Sequence, residues 1–307
     1  MVIATLRAKF GEYDSRAGTL ETKASPEQEA SATQTGASTS ELERQSLIEL
    51  IKNHSVKNPM TLKQFQNCER AGISETLMAC IHHLNLDEIG AYLPRAASPA
   101  QYIMRWVTDE RLGIILSHCP NLETLHLGGQ TQISDAGFAK IAALVPQLKV
   151  LTLSNHKNIT DAGLASLKTL PLRDLYLGGA PEEKSSITDA GLRHIAEIRS
   201  LQRFQILDCN GITDTGIGVL CTIPLKNLDL LGCLSLTDAS MGSISGVESL
   251  ESFTMGGRQD GRQPKITKAG LAQLDSHPNL PKLSVYYMPS IDQAARGHLQ
   301  ARGIQLL

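Results

Sequence analysis

Apolar residues change their spacing in a regular way along this chain. In LKVLTLSNHKNITDAGLASLKTLP, which begins at residue 148, Leu148, Leu151 and Leu153 show the alternation typical of the end of a β-strand. Ile159 and Leu164 follow at a spacing that suits one face of a helix. The stretch therefore predicts one short strand followed by one short helix.

The start of the predicted helix has its own chemistry. The Thr160 hydroxyl can accept a backbone N–H that the first turn leaves unpaired, and Asp161 puts a carboxylate at the positive end of the helix dipole. Glycine, which is a weak helix former, recurs in several units two residues after the position that Asp161 occupies in this one. Its recurrence indicates close packing, in which a larger side chain would push adjacent helices apart. These glycines are Gly137, Gly163, Gly191, Gly216 and Gly270.

The same unit recurs along the chain at intervals of 24 to 30 residues. Predicted strands begin at Leu122, Leu148, Leu172, Leu201, Leu225, Leu250 and Leu280. Predicted helix starts follow at Ile133-Ser134-Asp135, Ile159-Thr160-Asp161, Ile187-Thr188-Asp189, Ile212-Thr213-Asp214, Leu236-Thr237-Asp238 and Ile266-Thr267-Lys268. Because one unit cannot bury its own apolar face, the repetition predicts units stacked into a solenoid.

The pattern L-x-x-L-x-L followed by I-T-D-A-G-L resembles a leucine-rich repeat of the cysteine-containing type, found in F-box leucine-rich proteins and in some bacterial effectors. Cys209 and Cys233 stand in the turn after the strand, where this repeat commonly has Asn or Cys, and Cys119 lies in a C-P-N-L that leads into a strand. The resemblance implies an α/β leucine-rich repeat solenoid, a curved horseshoe with parallel strands on the concave side and helices on the convex side.

Three segments are expected in order along the 307 residues. Residues 1–39 form a polar, disordered leader, which is either a plain tail or an export signal of the kind found in bacterial effectors. Residues 40–60 form a helical N-terminal cap, with a degenerate F-box as the alternative, although no Leu-Pro start or central Trp is present. Residues 61–307 form the solenoid of about nine repeats.

The first two of these nine repeats are degenerate. By comparison with the segment that begins at Phe204, we expect Leu62, Phe65 and Ile73 to occupy repeat positions in the first repeat. In the second, we expect the strand at Leu86, Ile89 and Ala91. After an insertion, the helix of the second repeat begins at Val107-Thr108-Asp109, which matches the later helix starts.

Composition narrows the classes of partner. The formal net charge is −2, so nucleic acid is not indicated as a partner. The N-terminus resembles no secretory signal, and no stretch is long and apolar enough for a membrane span, so we expect a cytoplasmic protein that is not membrane-bound, or alternatively one secreted into a host cell. The repeat accounts for most of the six cysteines, and we expect no disulfides.

The residues between the strand leucines are expected to face outward on the concave side. The central column is predicted as His126, Thr152, Tyr176, Gln205, Asp229, Thr254 and Ser284. The flanking candidates are Arg173, Arg203 and Lys226. A mixed surface with Tyr and Arg near its centre suits contact with one irregular protein surface, whereas the alternative is an ordinary solvated sheet face.

Three repeats carry extra residues between strand and helix, and these loops should project from one edge of the horseshoe. Their candidate contact residues are Trp106 in the first loop, Glu182 and Glu183 in the second, and Arg258 and Arg262 in the third. They form part of a binding rim in one interpretation. In the other they are tolerated growth of exposed loops.

No G-x-S-x-G, H-E-x-x-H, Walker A or paired C-x-x-C motif is present, so we expect no enzyme, no cofactor and no metal. The sequence instead predicts a monomeric protein-binding module with its partner on the concave face or the loop edge. The resemblance implies substrate recognition or an adaptor role of the ubiquitin-ligase receptor type. The alternative is a translocated bacterial effector that binds a host protein.

Overall fold

The computed structural model describes residues 60–61, 64, 67, 81–85, 107–127, 132–153, 157–179, 185–277, 280–289, 291–293, 297, 300–301 and 305–306. The leader expected at residues 1–39 and nearly all of the cap expected at residues 40–60 lie outside these ranges and stay predictions.

The described strands form one parallel sheet, in which each strand pairs with its neighbours in chain order. The strands are β1 (Met60–Thr61), β2 (His83–Asn85), β3 (Thr124–Leu127), β4 (Val150–Leu153), β5 (Asp174–Leu177), β6 (Arg203–Ile206), β7 (Asn227–Leu231), β8 (Ser252–Gly256), β9 (Lys282–Tyr286) and β10 (Gln305–Leu306). This order confirms the seven strands predicted from Leu122 to Leu280.

One described helix follows each strand from β2 to β8. The helices are α1 (Asp109–Ser117), α2 (Asp135–Leu144), α3 (Asp161–Ser166), α4 (Asp189–Ala196), α5 (Asp214–Leu220), α6 (Asp238–Ser245) and α7 (Lys268–Ala272). Short 3₁₀ turns continue α3 over Leu167–Thr169 and α7 over Gln273–Ser276. Each helix begins directly after the predicted Thr or Ser, whose hydroxyl accepts a backbone N–H of the first turn.

The molecule is a leucine-rich repeat solenoid. Leu125, Leu151 and Leu175 pair in register on successive strands and are fully buried between the sheet and the helices. Strands in a sheet lie about 4.7–4.9 Å apart, whereas packed helices need about 8–10 Å, so the stack bends with its strands on the concave side. Within the described part, no helix combines the length and apolarity needed to cross a membrane.

The strand of the second repeat lies earlier than the sequence comparison placed it. Leu84, in β2, pairs with Leu125, so the strand of this unit is His83–Asn85 and lies before Leu86. Both Ile81 and Leu84 are fully buried. The expected strand at Leu86 and Ile89 was therefore wrong.

The first repeat has its strand at Met60–Thr61, because Met60 in β1 pairs with Leu84. Leu62, Phe65 and Ile73, which the comparison with the segment at Phe204 placed at repeat positions, lie outside the described residues and stay predictions.

An acidic ladder joins consecutive units. The aspartate that opens each helix from α1 to α6 accepts two hydrogen bonds from the capping residue of the next unit, one from its backbone N–H at 2.7–2.9 Å and one from its hydroxyl at 2.5–2.7 Å. The pairs are Asp109 with Ser134, Asp135 with Thr160, Asp161 with Thr188, Asp189 with Thr213, Asp214 with Thr237, and Asp238 with Thr267. The aspartates therefore hold neighbouring units together, beyond any effect on their own helix dipoles.

The recurring glycines make room for this ladder. A Cβ built at Gly163 would lie far inside contact distance of Asp135 Oδ1, and one built at Gly191 would lie 2.5 Å from Asp161 Oδ1. Close packing was predicted at these glycines. The group that needs the space is a carboxylate of the preceding unit.

The ladder is inverted at its last described step. Lys268 stands where the other helices have their aspartate, and its Nζ donates to the Asp292 carboxylate. Asp292 follows Ile291 as Thr267 follows Ile266. The acidic group has thus moved from one side of the junction to the other, and the contact between units is kept.

Candidate protein-binding face

The residues of the predicted central column lie in register on successive strands, as expected. His126, Thr152, Tyr176, Gln205, Asp229, Thr254 and Ser284 occupy matching positions on seven successive strands from β3 to β9. The column follows from the alternation of the strands, since the leucines on either side of each residue point into the core. Its role in binding stays a prediction.

Three residues at the middle of the sheet form a fixed charged group. Arg203 donates from Nε to Asp174 Oδ1 at 2.6 Å and from Nη2 to Asp174 Oδ2 at 2.5 Å. The Asp174 side chain is only 6% exposed, whereas that of Arg203 is 52% exposed. A buried carboxylate thus holds an exposed guanidinium by two parallel hydrogen bonds, which fix its orientation.

Tyr176 lies beside this pair and is half-buried. Burial raises the pKa of Tyr176, the neighbouring Asp174 raises it further, and Arg203 opposes both. The hydrogen bond to Asp174 raises the pKa of Arg203. At neutral pH the tyrosine is therefore neutral and the arginine fully charged, so the group presents an aromatic ring and a cation side by side.

Other charges along the same edge of the concave face are mostly neutralised by neighbours. Lys149 pairs with Glu123 at 2.8 Å, and Lys226 pairs with Glu251 at 3.0 Å. Arg173 is exposed, and no ion pair joins it to another residue in the described part of the chain. Its backbone carbonyl accepts from Arg203 N–H, so its backbone lies next to the start of β6.

Further predicted site residues have local partners of their own. His126 Nδ1 and Thr152 Oγ1 are hydrogen-bonded at 3.0 Å. Asp229 Oδ1 accepts from Leu231 N–H at 3.1 Å, and burial raises the pKa of Asp229. Gln205 is half-buried between the Tyr176 and Asp229 positions. Asp229 thus caps the end of its own strand, β7, which leaves less of its carboxylate for a partner.

The predicted edge loops are only partly described. Trp106, Glu182 and Glu183 lie outside the described residues. Arg258, expected on the binding rim, is instead 8% exposed, because its Nε faces Asp208 Oδ1 at 3.5 Å and Asp260 Oδ2 at 3.6 Å.

In the same third loop, Arg262 remains at the surface, with 59% of its side chain exposed, and is paired with Asp260. The pairing with Arg262 lowers the pKa of Asp260 to about 2. Of the two arginines expected at this rim, one is therefore an internal support and one is accessible.

Sequence reasoning missed the most exposed aromatic residues of the described part. Tyr286 and Tyr287, at the end of β9, are 40% and 48% exposed, and the described residues include no other large exposed apolar side chain. The repeat alignment held a signal, since Tyr286 pairs with Gly256 of the preceding strand. An aromatic residue where a sibling unit has glycine departs from the repeat.

The cysteines singled out by the repeat are structural. Cys209 Sγ contacts the Ile187 carbonyl at 3.3 Å, and Cys233 Sγ contacts the Ile206 carbonyl at 3.5 Å. Both are buried, and burial raises the pKa of each thiol. They pack as small apolar residues that satisfy carbonyls of the preceding unit. Among the described residues, no group of three or more His, Cys, Asp or Glu is arranged to hold a metal ion.

No protein-family model and no curated protein sequence matches the chain. Among solved structures, it is similar to the crystal structure of a Rad7 and Elc1 complex in yeast, with 16% identity and a TM-score of 0.37 over 91% of this chain and 88% of that one. It is also similar to a TLR13–ssRNA13 complex, with 15% identity and a TM-score of 0.42 over 70% of this chain. That match spans 30% of the TLR13 chain. With identities and TM-scores this low, the fold assignment rests on the parallel strands and their register.

Proposed function

We propose that the chain is a non-catalytic protein-binding module whose concave face holds a segment of a partner protein. The observation that carries this proposal is the group at the centre of the sheet, where buried Asp174 fixes the exposed Arg203 beside Tyr176 and Arg173. Tyrosine and arginine are the residue types that most often dominate binding energy at protein interfaces.

The chemistry of this group favours a partner with a carboxylate. Arg173 supplies a cation with no ion pair in the described residues, and the Asp174–Arg203 pair leaves Nη1 of Arg203 outside its two hydrogen bonds. A guanidinium held in place loses little freedom when it binds a carboxylate, and an adjacent tyrosine ring offers apolar contact area. A partner segment with an acidic side chain next to an apolar one would bind the guanidinium and pack against the tyrosine ring.

We further propose that the protein has a substrate-recognition or adaptor role of the ubiquitin-ligase receptor type. It is supported by the resemblance of the repeat to the cysteine-containing type, in which Cys209 and Cys233 stand in the turns after their strands. The segment in which an F-box was sought, residues 40–60, lies almost wholly outside the described residues. A receptor role predicts that affinity capture with this protein recovers a ubiquitin-ligase adaptor.

A charge reversal on each face of the solenoid tests the proposal. Arg173 is exposed directly before β5 and Arg193 is exposed on α4, on the helix side, so Arg173→Glu and Arg193→Glu change the net charge equally. Affinity capture from lysates, with the fold of each variant checked by circular dichroism, compares both with the intact chain. We expect Arg173→Glu and Tyr176→Ala to lose the main captured protein and Arg193→Glu to keep it.

Two results would refute parts of the proposal. Capture of the same proteins by all four chains would remove the concave face as the binding site. Capture of a partner that depends on Arg173 and Tyr176, with no ubiquitin-ligase adaptor among the captured proteins, would keep the concave face and refute the receptor role.

A further inference from the structure

The end of β9 departs from the repeat at two consecutive positions. Tyr286 pairs with Gly256, which pairs with Leu231, and Tyr287 follows Tyr286 as Gly257 and Gly232 follow those residues. Where two sibling units have glycine, this unit therefore has an exposed tyrosine. Packing of the repeat does not require it, since the siblings form the same strand end without it.

The backbone at Tyr287 is in an uncommon conformation for its residue type. Its φ is +49°, in the left-handed region that glycine enters freely and tyrosine seldom occupies. Successive side chains of a strand normally point to opposite faces, but here the rings of Tyr286 and Tyr287 are 6.4 Å apart and tilted by 39°. The left-handed turn thus brings both rings to one side. The turn itself belongs to the repeat, since Asp208 and Gly232 at the equivalent positions have φ of +56° and +79°; the large exposed aromatic side chain is what sets this unit apart.

The loop beside the tyrosines is held rigidly. Arg258 N–H donates to the Arg262 carbonyl at 2.7 Å, and Gly257 N–H donates to the Tyr286 carbonyl at 3.0 Å. The buried Arg258 side chain reaches Asp208, two units away. At Gly232, in the unit between them, a Cβ would crowd the Asp208 carboxylate. This arginine therefore links the first and the third of three successive units under the loop.

The loop adds polar groups to the aromatic pair. Gln259 Nε2 donates to the Tyr287 hydroxyl at 3.1 Å, and Arg262 is largely exposed. Lys265 is exposed as well, so the surface of the loop carries two accessible cations against the single carboxylate of Asp260. Two aromatic rings with an excess of positive charge, all on a fixed support, suit a segment that offers apolar and acidic side chains.

We propose that Tyr286, Tyr287, Gln259 and Arg262 form a second protein-binding surface, the tyrosine edge, that takes an acidic, apolar-containing segment of a partner protein. This surface is separate from the concave group around Tyr176 and does not depend on it. Arg258 is a positioning residue that supports the loop from below and does not touch the partner.

The test uses the full chain and a random peptide library displayed on phage. Peptides are selected on the intact protein and counter-selected on Tyr287→Gly, which restores the residue type of the sibling units. We expect the surviving sequences to combine Asp or Glu with apolar residues. Synthetic peptides of those sequences should bind Tyr287→Gly and Arg262→Glu at least about tenfold more weakly in fluorescence polarisation, and more weakly at high salt. Arg193→Glu should bind like the intact protein.

Stability separates a binding role from a structural one. Because glycine adopts a positive φ without strain, Tyr287→Gly should keep or raise the thermal midpoint. A clearly lowered midpoint would make Tyr287 a structural residue and overturn the proposal. So would selected peptides that are basic, or peptides that bind Tyr287→Gly as tightly as the intact chain. Tyrosine-dependent binding of a fluorescein-labelled uridine oligomer, or tyrosine-dependent self-association in ultracentrifugation, would point to a different occupant and overturn it too.

Discussion

The acidic ladder predicts that the effect of Gly163→Ala on stability changes sign when the Asp135 carboxylate is removed. Asp135 accepts from Thr160 N–H at 2.8 Å and from Thr160 Oγ1 at 2.6 Å, and Gly163 leaves the space that its carboxylate occupies. In Gly163→Ala, the new methyl group and the Asp135 Oδ1 atom cannot occupy their present positions together. The carboxylate must move, and both hydrogen bonds weaken or break.

The magnitudes follow from the two bonds and the helix. A hydrogen bond to a charged group contributes about 1.5–3 kcal/mol when buried, and because this site is only partly buried we assign about 2 kcal/mol to the pair. Alanine is favoured over glycine within a helix by up to about 1 kcal/mol. Gly163→Ala should therefore lower the free energy of unfolding by about 1 kcal/mol, and Asp135→Ala should lower it by about 2 kcal/mol.

Once the carboxylate is gone, the new methyl group mainly meets Ile159 Cγ2, 3.1 Å from the ideal Cβ position. Gly163→Ala in the Asp135→Ala background should then be neutral or stabilising by up to about 1 kcal/mol. The coupling between the two sites is thus about 1–2 kcal/mol, and the sign of the glycine substitution reverses.

Urea unfolding followed by circular dichroism measures the four chains of this cycle. Gly218→Ala is the matched control, since a Cβ there meets only Ser243 Oγ at 3.6 Å and should stabilise the protein in both backgrounds. If Gly163→Ala costs the same with and without Asp135, the ladder does not explain the recurring glycines and the reasoning is refuted.

Three further predictions concern other charged groups. Lys268→Asp should lower the thermal midpoint, because its carboxylate would meet that of Asp292. Adding Asp292→Thr should restore the midpoint by rebuilding the ladder seen in the other units. Equal midpoints for the single and the double variant would contradict this. Arg203→Ala should destabilise by about 2–3 kcal/mol because Asp174 stays buried without its partner, and adding Asp174→Asn should recover part of the loss in urea unfolding. Burial raises the pKa of Asp229, so its protonated form favours the folded state at low pH, and this contribution is lost as pH rises through the folded pKa. Asp229→Asn should therefore raise the free energy of unfolding at neutral pH and leave it unchanged in acid. A gain that does not depend on pH would refute this.

Local pattern was enough to predict most of the fold. The leucines fix which face of each strand is buried, and the Ile-Thr-Asp starts fix where each helix begins, so the strand register of the central column could be read from Leu148 onward. The first two repeats lacked such signals. Between β2 and α1 lies a long insertion, and Ile81 and Leu84 stand among histidines that hide the pattern.

The candidate site was less predictable because it depends on partners distant in sequence. Arg258 reads as one of several exposed loop cations, and only the fold brings it to Asp208, fifty positions earlier, where it becomes buried. Asp174 likewise reads as a surface residue of the strand until Arg203 covers it. Tyr287 could have been found by comparing units position by position, since the preceding units have Asp208, Gly232 and Gly257 where this unit has an aromatic residue.

The most direct test of a concave binding face is a site-specific photo-crosslink in cells. Benzoylphenylalanine is introduced at Tyr176 on the concave sheet and, in a second chain, at Arg193 on the convex face. We expect a crosslinked partner from the Tyr176 position that is absent from the Arg193 position and disappears when Arg173→Glu is added. Crosslinks of equal yield to the same protein from both positions, or a product unaffected by Arg173→Glu, would contradict it.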